Sequence, residues 1–183
     1  EFSDIRRYFC KLSAVSKHYD MLIDENNDPV RDPEPLREYM DKWDGQQFID
    51  SLQLTKRKSV LEIGVGTGRL AVRTAPNCRE FFGIDISQKT VKRAKENLKK
   101  QTNVTLVCGD FMSYEFGCKF DVIYSSLTFM HIKDKQAAIN KVKTLLNISG
   151  RFVLSIDKIQ SDTIEYGTRK IKIHPDRKED IAE

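Results

Sequence analysis

No run in this chain approaches the ~18 consecutive apolar residues of a membrane-spanning helix, and no signal-peptide pattern opens it. Its four cysteines, Cys10, Cys78, Cys108 and Cys118, lie far apart. There is no C-x-x-C, and no Cys/His pair has zinc-ligand spacing, so neither a disulfide framework nor a structural metal is expected. Reduced thiols in a cytoplasm are the default reading, with Cys108 a small core residue. No charge of one sign dominates either: 31 basic residues face 27 acidic ones, interspersed, for a formal net charge of +4 and a pI of about 8.8. That balance permits an anionic substrate but does not demand nucleic acid. Repeats, low-complexity segments and an initiator Met are also missing. The chain starts at Glu1 and stops at Glu183 in what reads as a young helix, so both ends are expected to be trimmed.

The 183 residues, 39% hydrophobic and 32% charged, suit one soluble globular domain with a sizeable core. Residues 1–57 read as a helical cap region. "EPLREYMDKWDGQQFIDSL" places Leu36, Tyr39, Met40, Trp43, Phe48 and Leu52 near helical spacing, after a loop, "DENNDPVRDPEP", with three of the five prolines. Residues 58–183 read differently. Strand-like runs at 59–63, 80–85, 104–108, 120–125 and 151–156 alternate with helical patterns. Ser87 and Asp134 are natural N-caps for two of these helices, Glu96 can pair with Lys100, and the second ends near Gly150. Alternation of this kind predicts right-handed βαβ units and a mainly parallel sheet covered on both faces. The link from Cys108 to Phe120 leaves room only for a brief or irregular helix.

The first strand, "SVLEI", runs into Gly64, Gly66 and Gly68. In an open α/β sheet, ligands sit beyond the carboxyl ends of the strands, where strand order reverses. Glycine there admits positive φ and close approach of a ligand to the backbone. Acids mark the same rim: Glu62 ends the first strand, Asp85 the second, 21 residues after Gly64, and Asp110 follows the third. A carboxylate at Asp85 can accept both hydroxyls of a ribose; one at Asp110 can accept from an adenine amino group. A nicotinamide or flavin dinucleotide fits less well. Its G-x-G-x-x-G fingerprint needs a small third residue where this chain has Arg69, and Glu62 would repel a pyrophosphate but welcome a cationic amino group.

"VLEIGVGTG", "FFGIDIS", "VCGDF", "FDVIYSSLTFMHI" and "GRFVLSID" together resemble the successive motifs of class I S-adenosylmethionine-dependent methyltransferases of small-molecule type, from about Ser59 to Asp157. The resemblance implies a Rossmann-like, doubly wound α/β fold, S-adenosyl-L-methionine as cofactor and S-adenosyl-L-homocysteine as product. It implies that Gly64, Gly66 and Gly68 line the methionine and ribose part, with Glu62 near the amino group. Asp85 would bind the ribose hydroxyls with Ile86 beside it, Asp110 and Phe111 would flank the adenine, and Ser125 would offer its carbonyl to the methionine end. The enzyme then chiefly aligns a nucleophile in line with the S–CH₃ bond and excludes water.

His131, in "LTFMHIKD", is the candidate catalytic residue; the other reading is a packing histidine. Tyr19 and His18 form a second candidate pair, because N-terminal helices commonly close over the cofactor in this family. Leu127, Phe129 and Met130 suit an aliphatic or aromatic acceptor. Nucleic acid is disfavoured: the Asn/Asp-Pro-Pro-aromatic turn of base amino-methyltransferases is replaced by Ser125-Ser126-Leu127-Thr128, and "KRAKENLKK" reads as a solvated helix face. The alternatives are a non-catalytic cofactor-binding module of the same fold and a nicotinamide-dependent oxidoreductase. The family pattern has seven strands; five central ones are legible here. "TIEYGTRKIKI" reads as a local hairpin around Gly167 and "PDRKEDIAE" as the start of a helix, so the last two strands are expected to be missing and the fifth strand to offer an edge for an oligomer.

Overall fold

The structure is a computed structural model that describes residues 13–157 and 161–181. Cys10 lies outside the described residues, as do the first twelve residues of the helical cap region. Helices α1 (Ala14–Asp24), α2 (Glu34–Asp44) and α3 (Gln46–Ser51) come first. Strands β1 (Ser59–Ile63), β2 (Glu80–Asp85), β3 (Val104–Cys108), β4 (Phe120–Ser126) and β5 (Leu146–Ser155) then alternate with α4 (Ala71–Thr74), α5 (Gln88–Asn97) and α6 (Lys135–Leu145). A hairpin, β6 (Thr163–Tyr166) and β7 (Arg169–Lys172), precedes α7 (Lys178–Ile181). The turn between β6 and β7 places Gly167 at φ 59°, as its position between two β-rich runs predicts.

The five main strands are all parallel, in the order β3-β2-β1-β4-β5. The chain winds outward from β1 in one direction and from β4 in the other, so the sheet's switch point lies between those two strands. Side-chain alternation serves two cores. Val60, Val122 and Tyr124 pack on one face with Ala71, Val91, Ala94 and Leu98, while Leu61, Ile63 and Ile123 pack on the other with Ala138, Ile139 and Val142. Every residue of β1 is buried, the pattern of a strand covered on both faces. The architecture is therefore the Rossmann-like, doubly wound α/β fold.

Several local expectations need correction. Helix α6 stops at Leu145 rather than near Gly150, and β5 begins at once: Leu146 pairs with Phe120, then the register shifts before Val122 meets Arg151. Glu96 pairs with Arg93, 3.3 Å away, not with Lys100, because the helix ends at Asn97. Cys108 is exposed, because it ends an edge strand. Arg93 is not simply solvated; it reaches Asp28 at 3.1 Å, and the buried Asp28 also accepts from Asn97. The apolar spacing in 34–52 splits at Gly45 into two helices, and Leu36 and Tyr39 point largely to solvent.

The N-terminal helices are tied to the sheet's carboxyl rim by named bonds. Ser13 caps α1, accepting from Ser16 N. Asp20 of α1 accepts from the Ser87 hydroxyl at 2.6 Å and from Lys89 N at 3.1 Å, at the start of α5. At the end of α2, the Trp43 carbonyl accepts from the Ser155 hydroxyl at 2.8 Å. Among the described residues no strand pairs with the outer edge of β5, where Arg151 donates to the Ser51 carbonyl at 2.9 Å.

Candidate active site

A cavity of about 560 Å³ opens above the carboxyl ends of β1, β2 and β4, a size within the range of small-molecule sites. Of the residues singled out from sequence, Glu62, Gly64, Gly66, Asp85, Ile86, Asp110, Phe111 and His131 line it. Gly68 and Ser125 do not. Gly68, at φ 94°, turns the chain into the first helix, where an added Cβ would meet Leu98 at 3.1 Å. Ser125 is buried within the sheet and donates its hydroxyl to the Ile63 carbonyl at 2.9 Å; its neighbour Ser126 faces the cavity instead. Leu127 and Met130 line the cavity, but Phe129 is a core residue stacked near Phe152.

Two of the glycines differ in kind. Gly64 has φ 78°, and a Cβ there would overlap Thr128, 2.7 Å from its Cβ. Gly66 has φ 56° and faces open space, with nothing within 4 Å of an added Cβ. The first is closed by protein; the second leaves room for a ligand against bare backbone.

Glu62 alternates with Val60 on the buried face of β1 and is only 3% exposed. Tyr124 donates to its Oε2 at 2.8 Å, and the Thr74 hydroxyl lies 2.8 Å from the same phenol oxygen. Burial pushes the Glu62 pKa up to about 8 from 4.5; the Tyr124 hydrogen bond and Arg69 pull it down, while Asp44 and Asp85 push it further up. The folded value lies above the unfolded one, so between them the folded protein holds more protons. Stability due to Glu62 is therefore greatest below about pH 4.5 and falls as pH rises towards about 8. Glu62→Gln removes this dependence. Its melting temperature relative to the unmutated protein is expected to climb steadily between about pH 5 and pH 8, and a pH-independent difference in thermal melts would contradict the assignment.

Asp85 accepts from Gly66 N through Oδ2 and from Ser87 N through Oδ1, both at 3.0 Å. It thus holds the glycine loop in place; the Ile86 backbone donates to it as well, and a carboxylate's roughly four lone-pair sites leave room for a ligand hydroxyl. Burial raises its pKa, opposed by those backbone hydrogen bonds. Asp110 accepts from Met112 N at 3.1 Å and from the Ser113 hydroxyl at 3.2 Å, while Phe111 is buried behind it under Lys141.

In the same cavity, Tyr19 Oη and His131 Nε2 share a hydrogen bond of 2.9 Å, across 112 residues of sequence. The pairing corrects the expected Tyr19–His18 couple: His18 meets the Tyr19 ring only edge-on, with centroids 5.3 Å apart, and turns towards Tyr166. A single turn of 3-10 helix, Phe129–His131, presents the imidazole. Lys135 fastens that turn, donating to the Phe129 carbonyl at 2.5 Å and to the His174 carbonyl at 2.9 Å. Burial lowers the His131 pKa to about 4, helped by nearby His18, Lys135 and His174. The imidazole is therefore neutral around pH 7. Burial also raises the Tyr19 pKa, so the phenol keeps its proton.

Sequence reasoning passed over Ser126, Thr128, Pro29 and Met40 as lining residues, and gave Arg69 no role beyond breaking the dinucleotide fingerprint. Arg69 lines the cavity, and its guanidinium donates to the buried Asp44. Only the placement of Arg69 one residue past the third glycine hinted at this.

Residues 60–150 match the family model described as "Methyltransferase domain". An uncharacterised methyltransferase of Bacillus cereus is 39% identical over 124 residues, which is 65% of this chain and 57% of that protein. Residues 60–150 form a methyltransferase domain of the class I S-adenosylmethionine-dependent type. The chain spans 57% of the length of the curated relatives it matches. Two solved structures bear out the methyltransferase fold. The YcgJ protein of Bacillus subtilis is 29% identical, with a TM-score of 0.56 over 59% of this chain and 47% of its own. The Haemonchus contortus phosphoethanolamine N-methyltransferase 1, solved with phosphoethanolamine and S-adenosylhomocysteine, covers 87% of this chain and 36% of its own, at 18% identity and a TM-score of 0.68. Among the described residues, no helix of this methyltransferase domain is long and apolar enough to cross a membrane.

Proposed function

We propose that this domain moves a methyl group from S-adenosylmethionine to the amino group of a small acceptor. The observation that carries the reading is the Tyr19–His131 hydrogen bond, which closes one end of the same cavity whose other walls bear Glu62, Asp85 and Asp110. The residues present suit the cofactor: open space over Gly66, a buried carboxylate at Glu62, and a ribose-height acid at Asp85. Bound S-adenosylmethionine supplies an electrophilic methyl on its sulfonium. Glu62 would meet the amino group, whose charge favours the ionised carboxylate. Asp85 would accept the ribose hydroxyls, and Ile86 and Phe111 would hold the adenine with Asp110 at its edge.

The chain's own contribution to the reaction is orientation. We place the hydrogen of the neutral imidazole on Nδ1, the tautomer in which Tyr19 donates to His131 Nε2. The phenol oxygen then keeps lone pairs free to accept from an acceptor N–H, aiming the nitrogen lone pair into the cavity. Leu127, Met130, Ile132, Pro29 and Met40 surround this end with apolar surface and keep water out. Small amines are the favoured acceptor class because Asp85 and Asp110 at the cavity wall disfavour an anionic nucleophile, and the name of the Haemonchus enzyme points to the same class.

The test is a methyl-transfer screen of the full-length protein with isotopically labelled donor and a panel of small amines, alcohols and thiols, with phosphoethanolamine among the amines. Labelled N-methyl product with matching S-adenosylhomocysteine is expected. Tight cofactor binding without turnover on any of them would favour the non-catalytic module.

A further inference from the structure

Among the described residues, none of 161–181 lines the cavity. That segment nevertheless touches both elements that carry the Tyr19–His131 pair. In the hairpin, Arg169 Nη2 donates to Glu25 Oε2 at 2.7 Å, on the residue that follows α1. The Tyr166 ring meets His18, the neighbour of Tyr19, with centroids 6.2 Å apart. Ile171 and Ile173 are buried, and Ile173 N donates to the Asp162 carbonyl at 2.8 Å. The chain then runs on to the other element. His174 N donates to the Met130 carbonyl at 2.7 Å, one residue before His131. Two residues later the Asp176 carboxylate pairs with Lys135 Nζ at 2.5 Å, the two side chains being 1% and 6% exposed.

Lys135 stands against its local preference. It is the first residue of α6, where the helix dipole favours acids over cations. Lysine is also almost never fully buried unless it is paired. An ammonium carries three N–H donors. Here the Phe129 carbonyl, the His174 carbonyl and the Asp176 carboxylate take them. The first partner lies in the turn that presents His131, and the other two lie in the C-terminal segment. An apolar side chain would fill the same space at lower desolvation cost, so what the ion pair adds is fixed direction. We propose that Lys135 and Asp176 are positioning residues for the Tyr19–His131 pair. They clamp the Phe129–His131 turn to the strap formed by residues 161–176, whose hairpin holds α1, so that one segment sets both halves of the pair at bonding distance. This deepens the proposed function and rests on the orienting role given there to the pair. A misplacement of about 1 Å at the reacting end costs roughly 100-fold in rate. The cofactor end is spared, because β1 and β2 place Glu62 and Asp85.

The test uses the full-length protein. Lys135→Met with Asp176→Leu replaces the ion pair by apolar groups and strands no buried charge. Imidazole nitrogen-15 spectra report the bond at His131 Nε2 without any turnover, and Tyr19→Phe supplies the signal of the broken bond. In the paired variant the Nε2 signal is expected to move most of the way to that reference. Its kcat with a small amine should fall about 10- to 100-fold, while S-adenosylhomocysteine affinity stays within about twofold. In a His131→Ala background the same pair of substitutions should cost less than about twofold, since both act through one bond. Arg169→Gln removes a partly exposed ion pair and should leave the fold intact. It should move the Nε2 signal in the same direction and lower kcat by about threefold. Should the paired variant not fold, Arg169→Gln decides by the same two readings. An unchanged Nε2 signal, or a kcat loss as large without His131 as with it, would overturn the proposal and leave the clamp a structural staple. A shifted signal with unchanged kcat, in these variants and in Tyr19→Phe alike, would uphold the clamp and instead strike the orienting role of the pair.

Discussion

Replacing Gly64 by alanine should lower the melting temperature by roughly 10 °C, the largest stability loss expected from one methyl group in this chain. Two costs combine. The residue sits at φ 78°, where an L side chain strains the backbone by about 1–2 kcal/mol. The new Cβ also overlaps Thr128, whose hydroxyl is held by the Ser126 carbonyl at 3.1 Å, so it does not swing away cheaply. Overpacking of this kind adds about 1–3 kcal/mol. Against the 5–15 kcal/mol typical of a domain, about 3–4 kcal/mol is severe. Gly66→Ala is the control. It carries a similar backbone strain at φ 56° but meets nothing within 4 Å, because that space belongs to the cavity. It should lose only the backbone term, a few degrees of melting temperature and about half the loss of Gly64→Ala, yet bind S-adenosylhomocysteine roughly tenfold more weakly or worse. Thermal melts and calorimetry on the pair decide the matter. Equal stability of the two variants, or unchanged binding by Gly66→Ala, would show that the loop does not divide its glycines between fold and ligand.

Tyr19→Phe should reduce kcat by about 100-fold with little change in cofactor affinity, as expected when an orienting hydrogen bond at the reacting atom is lost. The substitution keeps the ring, so its packing edge-on to His131, at 5.6 Å between centroids, is preserved. What disappears is the oxygen bonded to His131, which the proposed function sets against the acceptor. His131→Ala should do comparable damage by letting the phenol turn. The pair acts as a unit, so the double variant should be little worse than either single one. The pH profile gives an independent check. His131 ionises only near pH 4, so no loss of activity from its protonation is expected between about pH 5.5 and 7.5. An activity that drops tenfold per unit below neutrality would place a working base of ordinary histidine pKa in the site instead. Multiplicative losses in the double variant would mean that Tyr19 and His131 act separately.

Much of this arrangement is visible in the sequence for a physical reason. The carboxyl ends of β1, β2 and β3 coincide with the ends of β-rich runs, and the ligand-facing groups of an open parallel sheet must lie just past such ends. Glu62 and Gly66 could be located from β1, Asp85 from β2 and Asp110 from β3, because the end of a strand places each of them. Residues placed by tertiary contact were another matter. Tyr19 reaches His131 because α1 is docked on the start of α5, where Asp20 and Asp24 hold Ser87 and Lys89. Asp44 looks like an ordinary acid at the end of a polar helix, and nothing in its neighbours reveals that it is fully buried against Arg69. The apolar residues of α2 mislead in the opposite sense: Leu36 and Tyr39 keep helical spacing yet remain about half exposed, since α2 crosses the rim rather than the core. Edge position explains Cys108, and the register shift beside Phe120 explains the early start of β5.

A crystal structure of the full-length protein with S-adenosylhomocysteine tests the central claim most directly. The amino group is expected at Glu62, the ribose hydroxyls at Asp85 and the adenine between Ile86 and Phe111, with the backbone of Gly66 against the ligand. A ligand bound elsewhere, or Glu62 and Asp85 turned away from it, would contradict the account.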